Sequence, residues 1–155
     1  MKNTNKVSAL LLLQFALASV HANAADESIE GVWVTENGDG LIEFRVKDGL
    51  PTGFIAGSIS DPEHAEPAEY DVHNPDPALR EQPILGLAIL TGMKDVRSKK
   101  WAGSKWKGRV YDPRSGKTYK CTLTLVDTDT LRIRGYLGIP FLGRTQVWTR
   151  FRASH

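Results

Sequence analysis

The side chains best suited to chemistry stand close together between residues 71 and 80. Asp71, His73, Asn74, Asp76 and Arg80 share one proline-punctuated run, Asp71-Val72-His73-Asn74-Pro75-Asp76-Pro77-Ala78-Leu79-Arg80. An imidazole beside a carboxylate is a pairing that general acid–base catalysis uses, the acid orienting the base. On that reading His73, Asp71 and Asp76 are the catalytic candidates of a hydrolase or isomerase. The same residues have a structural use. Asp71, Asn74 and Asp76 can accept from backbone N–H groups around Pro75 and Pro77, while Arg80 ties the loop to the rest through a bidentate pair. The structural use is the one we expect. One residue between Asp71 and His73 fixes no geometry, and no serine stands in a strained nucleophile elbow.

Metal chemistry finds little support. The histidines past the N-terminal segment are His64, His73 and His155, with no pair at helical spacing. Asp71, Asn74 and Asp76 lack the spacing of a calcium loop. No glycine-rich strand-to-helix turn offers a phosphate cradle. Neither a metal nor a cofactor is expected. Cys121 is the sole cysteine, so no intramolecular disulfide can form. It alternates with Tyr119, Leu123 and Leu125, which marks it as a small buried hydrophobe.

A second candidate is Leu137-Gly138-Ile139-Pro140-Phe141-Leu142-Gly143. Its glycine flanks and apolar content would suit a lip at a pocket mouth, with Ile139, Phe141 and Leu142 meeting a small hydrophobic molecule. The plain alternative is a lid folded over a filled core. A contiguous exposed patch there would instead suit an envelope protein partner.

The elements that must position these residues read as strands. Gly31–Val34 is short and β-branched around Trp33. Leu41–Val46 alternates, with Ile42, Phe44 and Val46 on one face and Glu43 and Arg45 on the other. Phe54–Ile59 and Ile84–Leu90 follow as strands. Lys105–Tyr111, Thr118–Val126, Thr130–Tyr136 and Arg144–Phe151 complete the series. Asn37–Gly40, Lys47–Gly49, Asp112–Gly116 and Asp127–Asp129 supply turns. Residues 60–83, with five prolines and seven acids, form a long polar excursion within one domain. Roughly eight strands with hairpin connections predict an all-β, antiparallel up-and-down barrel, with an open sandwich as runner-up. The bulky interior candidates Trp33, Phe44, Phe54, Trp106, Tyr119, Leu123 and Ile133 suit a filled barrel at least as well as an open one.

The N-terminus reads as an export signal. Lys2 and Lys6 precede an apolar run from Val7 to Val20, and Ala22-Asn23-Ala24 has the small-x-small form of a cleavage site. The run is short for a membrane span, so residues 1–24 are expected to be a cleaved signal peptide. Residues 25–155 would then be the mature domain, periplasmic or extracellular, and not integral to a membrane. Without residues 1–24 the chain holds 18 basic and 18 acidic side chains, so the +2 of the whole chain belongs to the leader. That balance argues against a nucleic-acid partner. The one dense basic cluster is Lys94, Arg97, Lys99, Lys100, Lys105, Lys107 and Arg109. A solvated strand surface is its expected reading and phosphate or anionic-lipid binding the alternative.

Several motifs in fixed order carry a resemblance. Asp71, Asn74-Pro75-Asp76-Pro77, Leu79-Arg80 and Leu85-Gly86 come first. Trp101, Tyr111-Asp112-Pro113, Gly116-Lys117-Thr118-Tyr119, Arg134-Gly135-Tyr136 and Trp148-Thr149-Arg150 follow. Together, from Gly31 to Arg150, they resemble a bacterial secreted family known as domain of unknown function 2147. The resemblance implies a small exported, lipocalin-like barrel and no established activity. It also implies that a cysteine pair near the second and third strands of many relatives is missing here. Gly31-Val32-Trp33 and Arg150 are similar to a lipocalin pairing in which the indole plugs one barrel end beneath a guanidinium. Arg144 or Arg134 could serve as well. Trp33 and Arg150 are thus expected to be structural, together with Asp71, Asn74 and Arg80.

Overall fold

The computed structural model describes residues 28–58, 69–96, 104–138, 141 and 143–152. Eight antiparallel strands close into a barrel in sequence order. They are β1 (Gly31–Val34), β2 (Leu41–Lys47), β3 (Leu50–Gly57), β4 (Ala88–Asp95), β5 (Lys105–Asp112), β6 (Lys117–Leu125), β7 (Thr130–Tyr136) and β8 (Arg144–Arg150). Closure is made by β1 against β8, Trp33 opposite Arg150 and Val34 opposite Thr149. It leaves no unpaired sheet edge, which an open sandwich would have kept.

Alternation decides what fills the barrel. Ile42 and Phe44 of β2, Leu90 and Met93 of β4, Trp106 of β5 and Cys121, Leu123 and Leu125 of β6 are buried. Leu131 and Ile133 of β7 and Trp148 of β8 join them. The β2–β3 turn shows how local chemistry sets register. Asp48 and Gly49 both adopt positive φ, 53° and 74°, the two-residue geometry that matches strand twist. Pairing therefore starts at once, Lys47 opposite Leu50. For that reason β3 begins at Leu50 and not at Phe54.

Two interior expectations are corrected. Phe54 lies on the outer face, opposite Glu43, with the Arg45 guanidinium 4.6 Å from its ring centroid. The inward position belongs to Gly53, where an added Cβ would sit 2.9 Å from Leu90 and 3.1 Å from Phe44. A side chain has no room there, and the period of two turns Phe54 outward. The apolar run Ile84–Leu90 is not one strand. Gly86, with φ of 83°, breaks it, and residues 84–87 turn, with the Leu87 N–H donating to the Ile84 carbonyl at 3.0 Å. The strand proper starts at Ala88 and ends at Asp95.

The barrel has two unlike ends. The β2–β3 and β6–β7 turns lie at one end with residues 28–30 and 151–152. The β1–β2 and β5–β6 turns, the β3–β4 connection and the β7–β8 loop lie at the other. No helix among the described residues is long and apolar enough to cross a membrane. The expected leader, residues 1–24, lies outside the described residues.

Candidate functional site

At the first end, Trp33 is fully buried and its indole N–H donates to the Ile29 carbonyl at 2.9 Å. Arg150 lies over the ring, 4.3 Å from its centroid. Its guanidinium donates to three backbone carbonyls, those of Thr128, Glu30 and Ser28, at 2.5, 2.6 and 2.7 Å. One planar fork thus fastens the N-terminal segment, the β6–β7 turn and the indole together. Neither Arg134 nor Arg144 takes this place. A shallow cleft of about 360 Å³ beside it, lined by Ser28, Glu30, Thr128, Arg150 and Arg152, stays outside the barrel.

At the second end, the β3–β4 connection folds onto the β5–β6 turn. Asp71 is fully buried. Its Oδ1 accepts from the Tyr111 hydroxyl at 2.6 Å and its Oδ2 from the Asn74 side-chain amide at 2.7 Å. Asn74 Oδ1 accepts from the Asp76 N–H at 2.9 Å, and Asp76 Oδ1 from the Ala78 N–H at 3.0 Å, which caps the short 3-10 turn Pro77–Leu79. Arg80 donates through Nε to the Asn74 carbonyl at 2.9 Å. The loop base is pinned by the Asp71 N–H on the Gln82 carbonyl and the Ile84 N–H on the Glu69 carbonyl. Gly116 completes the seam: with φ of 67°, it lies so close to the His73 carbonyl that a Cβ would collide with it.

This arrangement separates the residues proposed for catalysis. Both oxygens of Asp71 are occupied by uncharged donors, and the His73 side chain is exposed with no hydrogen-bond partner among the described residues. Asp76 spends its carboxyl on a helix cap. Among the described residues Arg80 makes one bond, to the Asn74 carbonyl, where a bidentate pair was expected. Sequence reasoning placed Tyr111 at the end of a strand and missed its part. The signal was an aromatic residue standing in an outward row of Lys105, Lys107 and Arg109. A second open cleft of about 500 Å³, lined by Tyr70, Val72, Arg80 and Glu81, runs along the outside of the loop.

Burial, with the hydrogen bond to Asp71 second, pushes the Tyr111 hydroxyl from its ordinary 10.0 up to about 12. Burial likewise pushes the Cys121 thiol from 9.0 up to about 12. Both groups bind their protons more tightly folded than unfolded. The stability this confers is complete below about pH 9 and is lost as pH climbs towards about 12. Thermal unfolding followed from pH 8 to 12 should show a falling Tm that is shallower in the Tyr111→Phe, Cys121→Ala double variant. An equal slope in both proteins would refute the assignment.

At this second end the inward-facing side chains are less completely buried than at the first. Register places Gly135 opposite Arg144, Ile133 opposite Gln146 and Leu131 opposite Trp148. Directly opposed residues share a face. Trp148 is buried in the core and its indole N–H donates to Gln146 Oε1 at 3.0 Å. Gln146 and Arg144 therefore face inward too. Around the same mouth stand Ile55, Val110 and Tyr119, inward-facing yet only half-buried, whereas Trp33, Leu123 and Leu131 below them are fully buried. A Cβ built on Gly135 would meet a single neighbour, Val110 at 3.9 Å. Arg144 is exposed and has no hydrogen-bond or ion-pair partner among the described residues. Sequence reasoning named none of these as mouth residues, because inward register needs the pairing of strands.

Of the expected lip, Phe141 is 86% exposed and Leu137 64%. Arg134 holds the Phe141 carbonyl through Nη2 at 3.3 Å and Thr145 Oγ1 through Nη1 at 2.8 Å. The Phe141 ring thus does not fold back over the core. Ile139 and Leu142 lie outside the described residues. No cluster of three or more metal-ligating side chains occurs among the described residues.

Residues 31–150 match the model of a family described as "Uncharacterized protein conserved in bacteria (DUF2147)". Among solved structures the fold is similar to "Protein HP1028 from the human pathogen Helicobacter pylori belongs to the lipocalin family". The TM-score is 0.67 at 21% identity, over 81% of this chain and 84% of that one. No curated protein sequence matches the chain.

Proposed function

The chain belongs to the DUF2147 family of uncharacterized bacterial proteins, and on that footing we propose that it is an exported barrel that binds one small apolar or amphipathic molecule. The observation that carries this reading is the difference between the two ends. Below, inward side chains pack against one another to near-zero exposure. Above, Ile55, Val110, Tyr119 and Gly135 face inward but are only half-buried. An apolar cup with a few convergent polar groups is the usual form of a small-molecule site. Here those groups are the Tyr119 hydroxyl, the Gln146 amide and the Arg144 guanidinium. The lipocalin-like fold supports the reading, as does the exposed Phe141 beside the mouth. Export to the periplasm rests on the N-terminal sequence alone.

The Asp71 loop supports a structural role better than a hydrolase or isomerase site, since its polar groups are consumed in holding itself. Native mass spectrometry of protein purified from its own cells tests the cup directly, with a retained guest expected. Gly135→Leu would fill the space above Cys121 without straining the backbone. It should cut the retained fraction at least tenfold while shifting Tm little. A protein that carries no guest, and whose intrinsic tryptophan fluorescence is unmoved by a panel of fatty acids and isoprenoids, would end the proposal.

A further inference from the structure

The outer surface of the barrel is not electrically uniform. Register sets Lys94 directly opposite Lys107 and Arg109 directly opposite Lys120. Arg132 lies opposite Thr124, and Arg134 opposite Thr122, on the same outward face. Lys94, Lys107, Arg109, Lys120 and Arg132 are all exposed, and the half-buried Arg134 and threonines stand among them. No Asp or Glu occupies an outward position of β4–β7 among the described residues. Asp95 and Asp112 stand at strand ends in inward register. The ion pairs Arg45–Glu43, Arg114–Asp39 and Arg152–Asp129 lie off this face, and Asp95 and Lys105, where β4 meets the start of β5, are engaged in interactions of their own. Like charges facing each other across a ladder are destabilising, so the fold gains nothing from this patch. Four strands at about 4.8 Å spacing spread it over a width of about 14 Å.

The edge of this face adds a second, apolar feature. Leu137 and Phe141 follow β7 and are largely exposed, and Val147, opposite Arg132, is 40% exposed. Arg134, within the face, holds the Phe141 carbonyl. An exposed ring beside a field of cations is the arrangement that an anionic lipid surface satisfies at once. Headgroups meet the cations, and the ring enters the boundary between headgroup and acyl chain. A nucleic acid would use the cations and leave the ring in water. The outward positions are charged, the reverse of the apolar band by which a barrel spans a bilayer.

We propose that the outer face of β4–β7, with Leu137 and Phe141 at its rim, docks the protein peripherally onto a membrane rich in anionic phospholipid. This goes beyond the cup and stands without it. Co-sedimentation of the protein, purified as its cells process it, with phosphatidylcholine vesicles containing about one-third phosphatidylglycerol tests it. Binding is expected at low salt. It should be absent on phosphatidylcholine alone, and lost in about 1 M salt, where screening reaches about 3 Å. Each cation near such a surface contributes about fivefold in affinity, so Lys107→Thr, Arg109→Thr, Lys120→Thr together should weaken binding by roughly a hundredfold. Relief of the Arg109–Lys120 opposition should leave Tm unchanged or raise it, which separates lost docking from lost folding. Phe141→Ser should weaken vesicle binding severalfold and leave retention on heparin unchanged. Absence of vesicle binding, indifference to the triple variant, or capture of an oligonucleotide in preference to vesicles would each overturn the proposal.

Discussion

Trp33→Ala should destabilise the protein by about 3–5 kcal/mol, the range for deleting a fully buried indole whose cavity cannot collapse. For a domain of this size that is on the order of 10–20 °C in Tm. The cavity cannot collapse because its walls are fixed from several directions. Ile29 and Phe44 are themselves buried in the same core. Arg150 lies across it and is held by three carbonyls from two separate segments. Loss of the ring removes the apolar surface that covers one face of the guanidinium. Arg150→Ala acts from the other side, leaving the carbonyls of Ser28, Glu30 and Thr128 without this donor. The two residues therefore do not act independently. In a double-mutant cycle the cost of both substitutions should fall short of the sum by about 1 kcal/mol or more. Arg150→Lys should recover little, because one ammonium cannot span three carbonyls in a plane. Chemical denaturation of the four proteins measures this. Simple additivity would mean that the stacked geometry contributes no coupling.

That plug was reached through the likeness of Gly31-Val32-Trp33 and a late arginine to a lipocalin pairing, and the choice of Arg150 over Arg134 and Arg144 needed the β1–β8 register. The strand pattern was legible from the residues themselves, since Ile42, Phe44, Cys121, Leu123, Ile133 and their neighbours alternate cleanly. Phe54 misled because period two fixes faces only once the start of a strand is known. The Asp48-Gly49 turn moved that start to Leu50, and a glycine took the inward place. Ile84–Leu90 misled because composition alone does not show that Gly86 adopts a left-handed φ. In the 71–80 loop the partner that holds Asp71, Tyr111, lies 40 positions away in sequence. The mouth was the least legible part. Gly135, Gln146 and Arg144 become neighbours only through β7–β8 register, and nothing in their own residue types marks them. The basic cluster showed the opposite defect. Lys94, Lys107 and Arg109 are evident in sequence, Arg97, Lys99 and Lys100 lie outside the described residues, and Lys120 and Arg132 join the patch only when the sheet folds.

Asp71→Ala should cost about 2–4 kcal/mol, because it removes a carboxylate and strands one buried and one part-buried donor at once. A hydrogen bond to a charged group is worth roughly 1.5–3 kcal/mol, and an orphaned buried donor carries its desolvation penalty besides. The Tyr111 hydroxyl and the Asn74 amide would be the orphans. Asn74 also organises the Asp76 N–H and, through its carbonyl, Arg80. The defect should therefore spread through the loop and expose residues 69–84 to proteolysis before the barrel melts. Asp71→Asn should be milder, since the Tyr111 hydroxyl can rotate and accept from the new amide. Adding Tyr111→Phe to Asp71→Ala should cost little more than Asp71→Ala alone, because one of its orphans disappears. A catalytic Asp71 would behave otherwise. The alanine variant would keep its Tm and its protease resistance, and Tyr111→Phe would add its full independent cost. Urea denaturation of the single and double variants, with limited proteolysis at the loop, distinguishes an acid that holds the seam between the loop and the β5–β6 turn from one kept there for chemistry.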